Sequence, residues 1–189
     1  TNQQDEQILN HDGRYYVLAR QPDNALLVLI KTEKLGKQGH ISFGIPSSPA
    51  LFLNVARRSY FQIKDIDPEQ MFYKWQNGRI PINHSNLFDY FEQFSSHIVF
   101  SFTALEAFAN EMIPKEFEYK TERKGVITIL KKHEIERIVS LDEKLHSVLP
   151  EAIGVSTPKG KKSWQHYKLL KSMRDRVIHL KSVDRSASG

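Results

Sequence analysis

The sequence predicts a mainly α-helical protein, with a helical bundle over residues 83–189 preceded by a small mixed α/β or β-rich appendage over 1–82. Three observations carry this. Between Ser85 and Ile113 there is no Gly or Pro, and Phe91, Phe94, Ile98, Phe102, Leu105, Ala109 and Met112 recur at steps of three and four. That is the spacing of one buried helix face. The last stretch, Ser163 to Val183, is equally free of breakers, and at about 100° per residue Tyr167, Leu170, Met173, Val177 and Leu180 share one broad stripe. Upstream of residue 82 the pattern changes to short apolar runs separated by turn residues.

Residues 1–12 are polar and read as a loosely attached end. Arg14 to Ala19 is rich in aromatic and β-branched residues, Pro22-Asp23-Asn24 is a turn signal, and Ala25 to Ile30 is a second apolar run, so a hairpin is expected. Ile41 to Ile45 reads as a third strand. Ser48-Pro49 opens a helix, with Ser48 as N-cap and Pro in its first turn, running to about Tyr60. Met71 to Trp75 followed by Asn77-Gly78 is one more strand and its turn. The aromatic clusters of this half read as core, because they lack the interleaved basic residues of a base-stacking platform.

Pro114 stops the long helix, and Lys115 to Gly125 reads as a charged linker. Val126 to Leu130 is either extended or a helix start. Lys132 to Val139 is expected to be helical with Ile135 and Ile138 inward. Ser140-Leu141-Asp142-Glu143 is a capping-box pattern that opens a fresh helix carrying Leu145, Val148 and Leu149, closed by Pro150. A Ser/Thr/Pro/Gly/Lys loop then leads to the final helix, whose expected N-cap is Ser163.

The composition narrows the functional classes. Hydrophobic residues at 40% and charged residues at 26% are ordinary for a soluble chain, and ALLVLI is far too short to span a bilayer. No stretch reads as a secretory signal, although the chain starts without Met and a removed leader stays open. Cysteine is absent, which excludes disulfides and thiolate metal sites and fits a cytoplasmic location. The net charge is +5, yet Lys159 to Arg185 alone holds nine Lys/Arg against two Asp. A basic segment on a slightly acidic body points to a polyanion partner.

Other motifs fall away. His133-Glu134-Ile135-Glu136-Arg137 lacks the second His of a zincin. Gly154 and Gly160 do not frame a phosphate loop in register with a helix. Asp65, Asp67 and Glu69 read as a solvated turn without an EF-hand pattern. In the last helix, Arg174 lies at the edge of the apolar stripe, where a guanidinium either snorkels or finds a partner. Glu106 and Asn110 stand one turn apart beside the face of the long helix. Packed against the last helix, Glu106 either pairs with Arg174 or merely edges the solvent, and it stays outside the catalytic set.

Arg174-Asp175-Arg176-Val177-Ile178-His179 resembles the R-x4-6-H motif of the HEPN superfamily, including the polar residue after the Arg. SFTALEAFANEMIP, EIERIVSLDEKLHSVLP and the W…L…RD…H stretch are also similar to prokaryotic HEPN proteins of this size. The resemblance covers roughly the C-terminal half and leaves residues 1–82 unexplained. It implies a HEPN-like helical bundle with the motif near its end, and a homodimer formed through the bundle that sets two motifs face to face. It also implies a metal-independent endoribonuclease, without cofactor, of the kind used as toxins or in antiphage defence.

In that reading Arg174 clamps the phosphate oxygens, His179 is the general acid or base, and Asp175 orients either one. Lys159, Lys161, Lys162 and Arg176 hold the RNA backbone. The same resemblance leaves open a non-catalytic module that binds RNA, a nucleotide or a regulatory partner protein. Geometry adds a demand: five residues apart, Arg174 and His179 diverge by roughly 140° on a straight helix. A compact site therefore needs a kinked helix end or a second chain.

Overall fold

The computed structural model describes residues 14, 17–20, 26–37, 39–123 and 125–179. Four antiparallel two-stranded ladders alternate with the helices, so the chain is mixed α and β. The expected mainly α-helical class, with a HEPN-like helical bundle in the C-terminal half, is corrected by this. The decisive element lies inside that half, where the expected charged linker is a strand.

The first ladder joins β1 (Val17–Arg20) to β2 (Leu26–Val28), the expected hairpin. A second joins β3 (Ile30–Lys34) to β4 (His40–Gly44), with Thr32 and Ser42 hydroxyls 2.8 Å apart across it. Helix α1 (Ser48–Ile63) follows, capped by Ser47 rather than Ser48: the Ser47 hydroxyl accepts from the Ala50 N–H at 3.4 Å. A 3₁₀ turn, Pro68–Met71, leads to β5 (Phe72–Trp75) and β6 (Gly78–Pro81). Their register pairs Trp75 with Gly78, leaving a two-residue turn in which Gln76 takes φ 50°. That positive φ is what a hairpin of this length requires.

Helix α2 (His84–Met112) is the long helix, opened by the Asn83 side chain accepting from Ser85 and Asn86 N–H groups. Helix α1 packs along it. The Phe52 and Phe100 rings stack at 6.0 Å, Ser59 donates to Ser96 at 3.0 Å, and His97 Nδ1 lies 3.0 Å from the Ala56 carbonyl.

After α2 come β7 (Glu118–Arg123) and β8 (Val126–Lys131). Their full register runs from Glu118 opposite Lys131 to Arg123 opposite Val126. Strand pairing uses backbone groups, so a run of Glu and Lys on the solvent side does not prevent it. Only the paired Tyr119 and Leu130 reach the core, while Val126, Ile127 and Ile129 stay exposed. The core of the C-terminal half is therefore not made by helices alone.

Helix α3 (Lys132–Ile138) buries Ile135 completely but leaves Ile138 59% exposed. The expectation that both face inward is corrected: the helix ends there, and Val139 takes the inward place. Ser140 then accepts from the Glu143 N–H at 3.2 Å, as the capping pattern predicts. The segment that follows runs through α4 (Leu141–Glu143), a π-turn (Lys144–Val148) and α5 (Leu149–Ile153).

Pro150 does not close it. The Leu149 N–H already bonds the Lys144 carbonyl five residues back, and this widened turn relieves the clash that a proline meets in a regular helix. Gly154, at φ +69°, provides the left-handed stop instead. The last helix, α6 (Lys162–Ile178), is shorter than the sequence suggests. Its cap is Lys161, not Ser163, and residues 180–183 lie outside the described residues. Phe102, Ile113, Tyr119, Leu130, Ile135, Val148 and Tyr167 meet in one core shared by α2, β7, β8, α3, the π-turn and α6.

Candidate functional site

Helix α6 carries the basic end of the chain. It starts without a side-chain cap; instead the Lys161 N–H reaches the Pro158 carbonyl at 3.0 Å and the Lys161 ammonium reaches Ser156 Oγ at 2.9 Å. Tyr167 is buried on its inner face, and Leu170 and Trp164 pack against the core. Arg174 follows one turn after Leu170. Its guanidinium carbon lies 4.0 Å from the centroid of the Phe102 ring on α2. A cation held that close over a buried ring gains about 0.5–2 kcal/mol.

Nη1 of Arg174 also pairs with Asp175 Oδ1 at 3.0 Å, and the side chain is 23% exposed. Asp175 is therefore the ion-pair partner of Arg174. Glu106 is not: it is exposed, and the charge it influences is the buried Lys144. The Nε atom of Arg174 is buried without a hydrogen-bond partner. An orphaned buried donor costs about 1–3 kcal/mol, a cost that points to a functional reason for the residue.

The support under Arg174 extends further. Phe102, 5% exposed, stacks on Tyr167 at 6.4 Å and 20°. The Tyr167 hydroxyl donates to Asp142 Oδ1, which also receives the Lys171 ammonium at 2.8 Å, while Lys168 reaches Oδ2 at 3.1 Å. Burial alone would push the Asp142 carboxyl up, but the hydrogen bonds from Lys171, Tyr167 and Lys168 outweigh it and hold it well below the usual carboxylate range. Burial, and then the bond to Asp142, pushes the Tyr167 phenol up.

His179 is the C-cap of α6, with its N–H bonded to the Asp175 carbonyl at 2.9 Å. Its φ of −114° and ψ of 68° leave the helical region, so the chain turns away at this residue. Its side chain is exposed. Lys159, Lys161, Lys162 and Arg176 are all exposed, the three lysines at the start of α6 or just before it and Arg176 in its last turn. Arg174, Asp175, Arg176 and His179 therefore gather at the C-terminal end of α6. The three lysines lie at the opposite end of that helix, about 20 Å away by helix rise. Among the described residues no three His, Asp or Glu gather as a metal-ligand group.

Asp142 and Phe102, with Tyr167, Lys168 and Lys171 between them, belong to an assembly that sequence reasoning did not foresee. The capping pattern marked Asp142 only as part of a helix start, and the period of α2 marked Phe102 only as core. Their roles depend on packing across elements, which no local pattern reports.

Asp142 gives a testable pH dependence. Its folded pKa is depressed, so the stability it contributes is complete above the unfolded value of about 3.9 and is lost as pH falls through the folded value. Asp142→Asn should lose about 1–3 kcal/mol at neutral pH. In urea melts the gap to the unmodified chain should close below about pH 4. A gap that is constant from pH 7 to 3 would show that the charge of Asp142 contributes nothing.

Comparison with protein-family models, with curated proteins and with solved structures finds no match. Among the described residues no helix is long and apolar enough to cross a membrane.

Proposed function

We propose that the chain is a metal-independent endoribonuclease of the HEPN type that acts as a cytoplasmic homodimer. The observation that carries this reading is the fixed guanidinium of Arg174. Its central carbon sits over the Phe102 ring and it pairs with Asp175, one turn before a His at which the helix ends. A planar donor fork fixed in this way suits the equatorial oxygens of a five-coordinate phosphorus.

In the proposed reaction the ribose 2′-OH attacks the adjacent phosphate, forming a new P–O bond as the bond to the 5′-oxygen breaks. The products are a 2′,3′-cyclic phosphate and a 5′-OH end. His179 takes the 2′-OH proton or supplies one to the leaving oxygen. Two copies of the motif, one from each chain of the dimer, would provide both proton transfers. Exposed apolar side chains on α2 supply surface for the second chain: Phe88, Phe108 and also Phe91, which the helix period had placed on the buried face. A role in toxin or antiphage defence, with a regulatory partner, belongs to the same proposal.

One observation favours a second reading. The ion pair with Asp175 already engages Nη1 of Arg174, and Nε faces inward, so a module that binds RNA, a nucleotide or a protein without turnover fits the same geometry. Incubating the purified protein with mixed RNA in EDTA separates the two. Cleavage leaving cyclic-phosphate ends, with DNA intact, is the expected result; binding without cleavage would select the module.

Salt dependence tests the backbone contacts. Affinity for single-stranded RNA should fall with a log–log slope of about −0.7 per phosphate contacted. Lys159→Ala/Lys161→Ala/Lys162→Ala should flatten that slope. An unchanged slope would assign these lysines to solvent.

A further inference from the structure

Arg174 is anchored by a single ion pair, to a neighbour on its own helix whose side chain is 45% exposed. One such contact leaves the guanidinium free to rotate about the bond it makes, and Nε contributes nothing to fixing it. Among the described residues, the aromatic ring against it is that of Phe102, at 4.0 Å. That ring is itself stacked on Tyr167, whose hydroxyl is held by Asp142. Three elements, α2, α4 and α6, thus converge on the orientation of one guanidinium.

We infer that Phe102 is a positioning residue that fixes the plane of the Arg174 guanidinium through its ring face, with Tyr167 and Asp142 bracing the ring. This rests on the reading of Arg174 as the anion clamp. The requirement is for an aromatic face and not for apolar volume: an aliphatic side chain fills the space but has no negative face to hold the cation flat. A clamp that tilts out of plane presents its donors at the wrong angle, and a misplacement of about 1 Å costs on the order of 10²-fold in rate. Phe102 touches no substrate in this arrangement.

The test compares Phe102→Leu with Phe102→Trp and reads two quantities. The first is the Arg174 Nε–Hε resonance in an ¹⁵N spectrum, assigned by its disappearance in Arg174→Lys. A proton held over a ring is shifted upfield, and burial slows its exchange with water. The resonance should be upfield and slowly exchanging in the unmodified chain, absent from that position in Phe102→Leu, and retained in Phe102→Trp.

The second quantity is RNA cleavage. Phe102→Leu should lower kcat and kcat/KM together by about 10- to 100-fold, and Phe102→Trp should restore most of the loss. Should Phe102→Leu lose its cooperative unfolding, Phe102→Met, closer in volume, replaces it. A resonance that does not move, or cleavage that is unchanged when it does, overturns the inference. An unmodified chain that leaves RNA intact overturns the nuclease reading instead, while the resonance still decides whether Phe102 fixes Arg174.

Discussion

Arg174→Ala and His179→Ala should each lower RNA cleavage by about 10²–10⁴-fold without unfolding the protein. Arg174 is the larger structural risk, because its removal uncovers the Phe102 ring. Arg174→Lys separates the two effects. It keeps the charge and most of the aliphatic cover but loses the planar fork, so activity should stay low while stability is retained. His179 is exposed and lies at the end of α6, so its replacement should leave the melting temperature nearly unchanged.

Asp175→Asn should have an intermediate effect, since it weakens the pair that orients Arg174 but leaves Phe102 in place. Mixing inactive Arg174→Ala chains with inactive His179→Ala chains adds a further check. If each site draws on both chains, the mixture should regain part of the activity through heterodimers. Full activity in EDTA by either single variant would remove that residue from the chemistry.

The elements with their own local signal were legible in the sequence. Helix α2 was found to within one residue at each end, because nearly 30 residues without Gly or Pro and an unbroken apolar period admit little else. The β5–β6 hairpin was announced by Asn77-Gly78, although its turn falls one residue earlier, at Gln76-Asn77, and the α4 start was announced by Ser140. Strand β7 was missed because Glu118, Lys120, Glu122 and Arg123 look like a solvated linker. Its pairing with β8 is a backbone interaction, and its one core residue, Tyr119, gives no alternation on its own.

That miss turned a mixed chain into an expected helical bundle. The continuation through Pro150 was illegible for a similar reason, since the π-turn that accommodates the proline has no sequence signature. The motif residues and the basic segment were singled out in the chain, and they fall at the two ends of α6. The support of Arg174 was legible only in part: Asp175 was expected to orient Arg174 or His179 and Glu106 to pair with Arg174 or edge the solvent, whereas Phe102, across from it, was marked only as core. Glu106 instead influences another cation, Lys144, whose burial no local pattern announces.

That cation leads to the largest expected loss of stability. Lys144 is 1% exposed, and its ammonium donates to Asn110 Oδ1 at 2.8 Å and to the Glu136 carbonyl at 2.9 Å. It therefore ties the π-turn to α2 and α3. Burial lowers its pKa, and the carboxylates of Glu106 and Glu136 oppose that shift. Lys144→Ala removes both bonds, strands the two acceptors in the core and opens a cavity. The expected cost is about 3–5 kcal/mol, from the cavity left by a buried side chain together with two stranded acceptors.

Lys144→Met keeps the volume and strands only the acceptors, so about 1–3 kcal/mol is expected. The two variants also differ from the unmodified chain in pH response. The folded state disfavours the ammonium relative to the unfolded chain, where lysine titrates near 10.4. Between the lowered folded value and about 10.4 the unfolded state binds more protons, so the unmodified chain gains stability as pH rises. Lys144→Met has no such group, and its deficit should widen over that window. Chemical melts at neutral pH and at pH 9–10 measure both effects. If Lys144→Ala melts like the unmodified chain, the ammonium does not hold α2, α3 and the π-turn together.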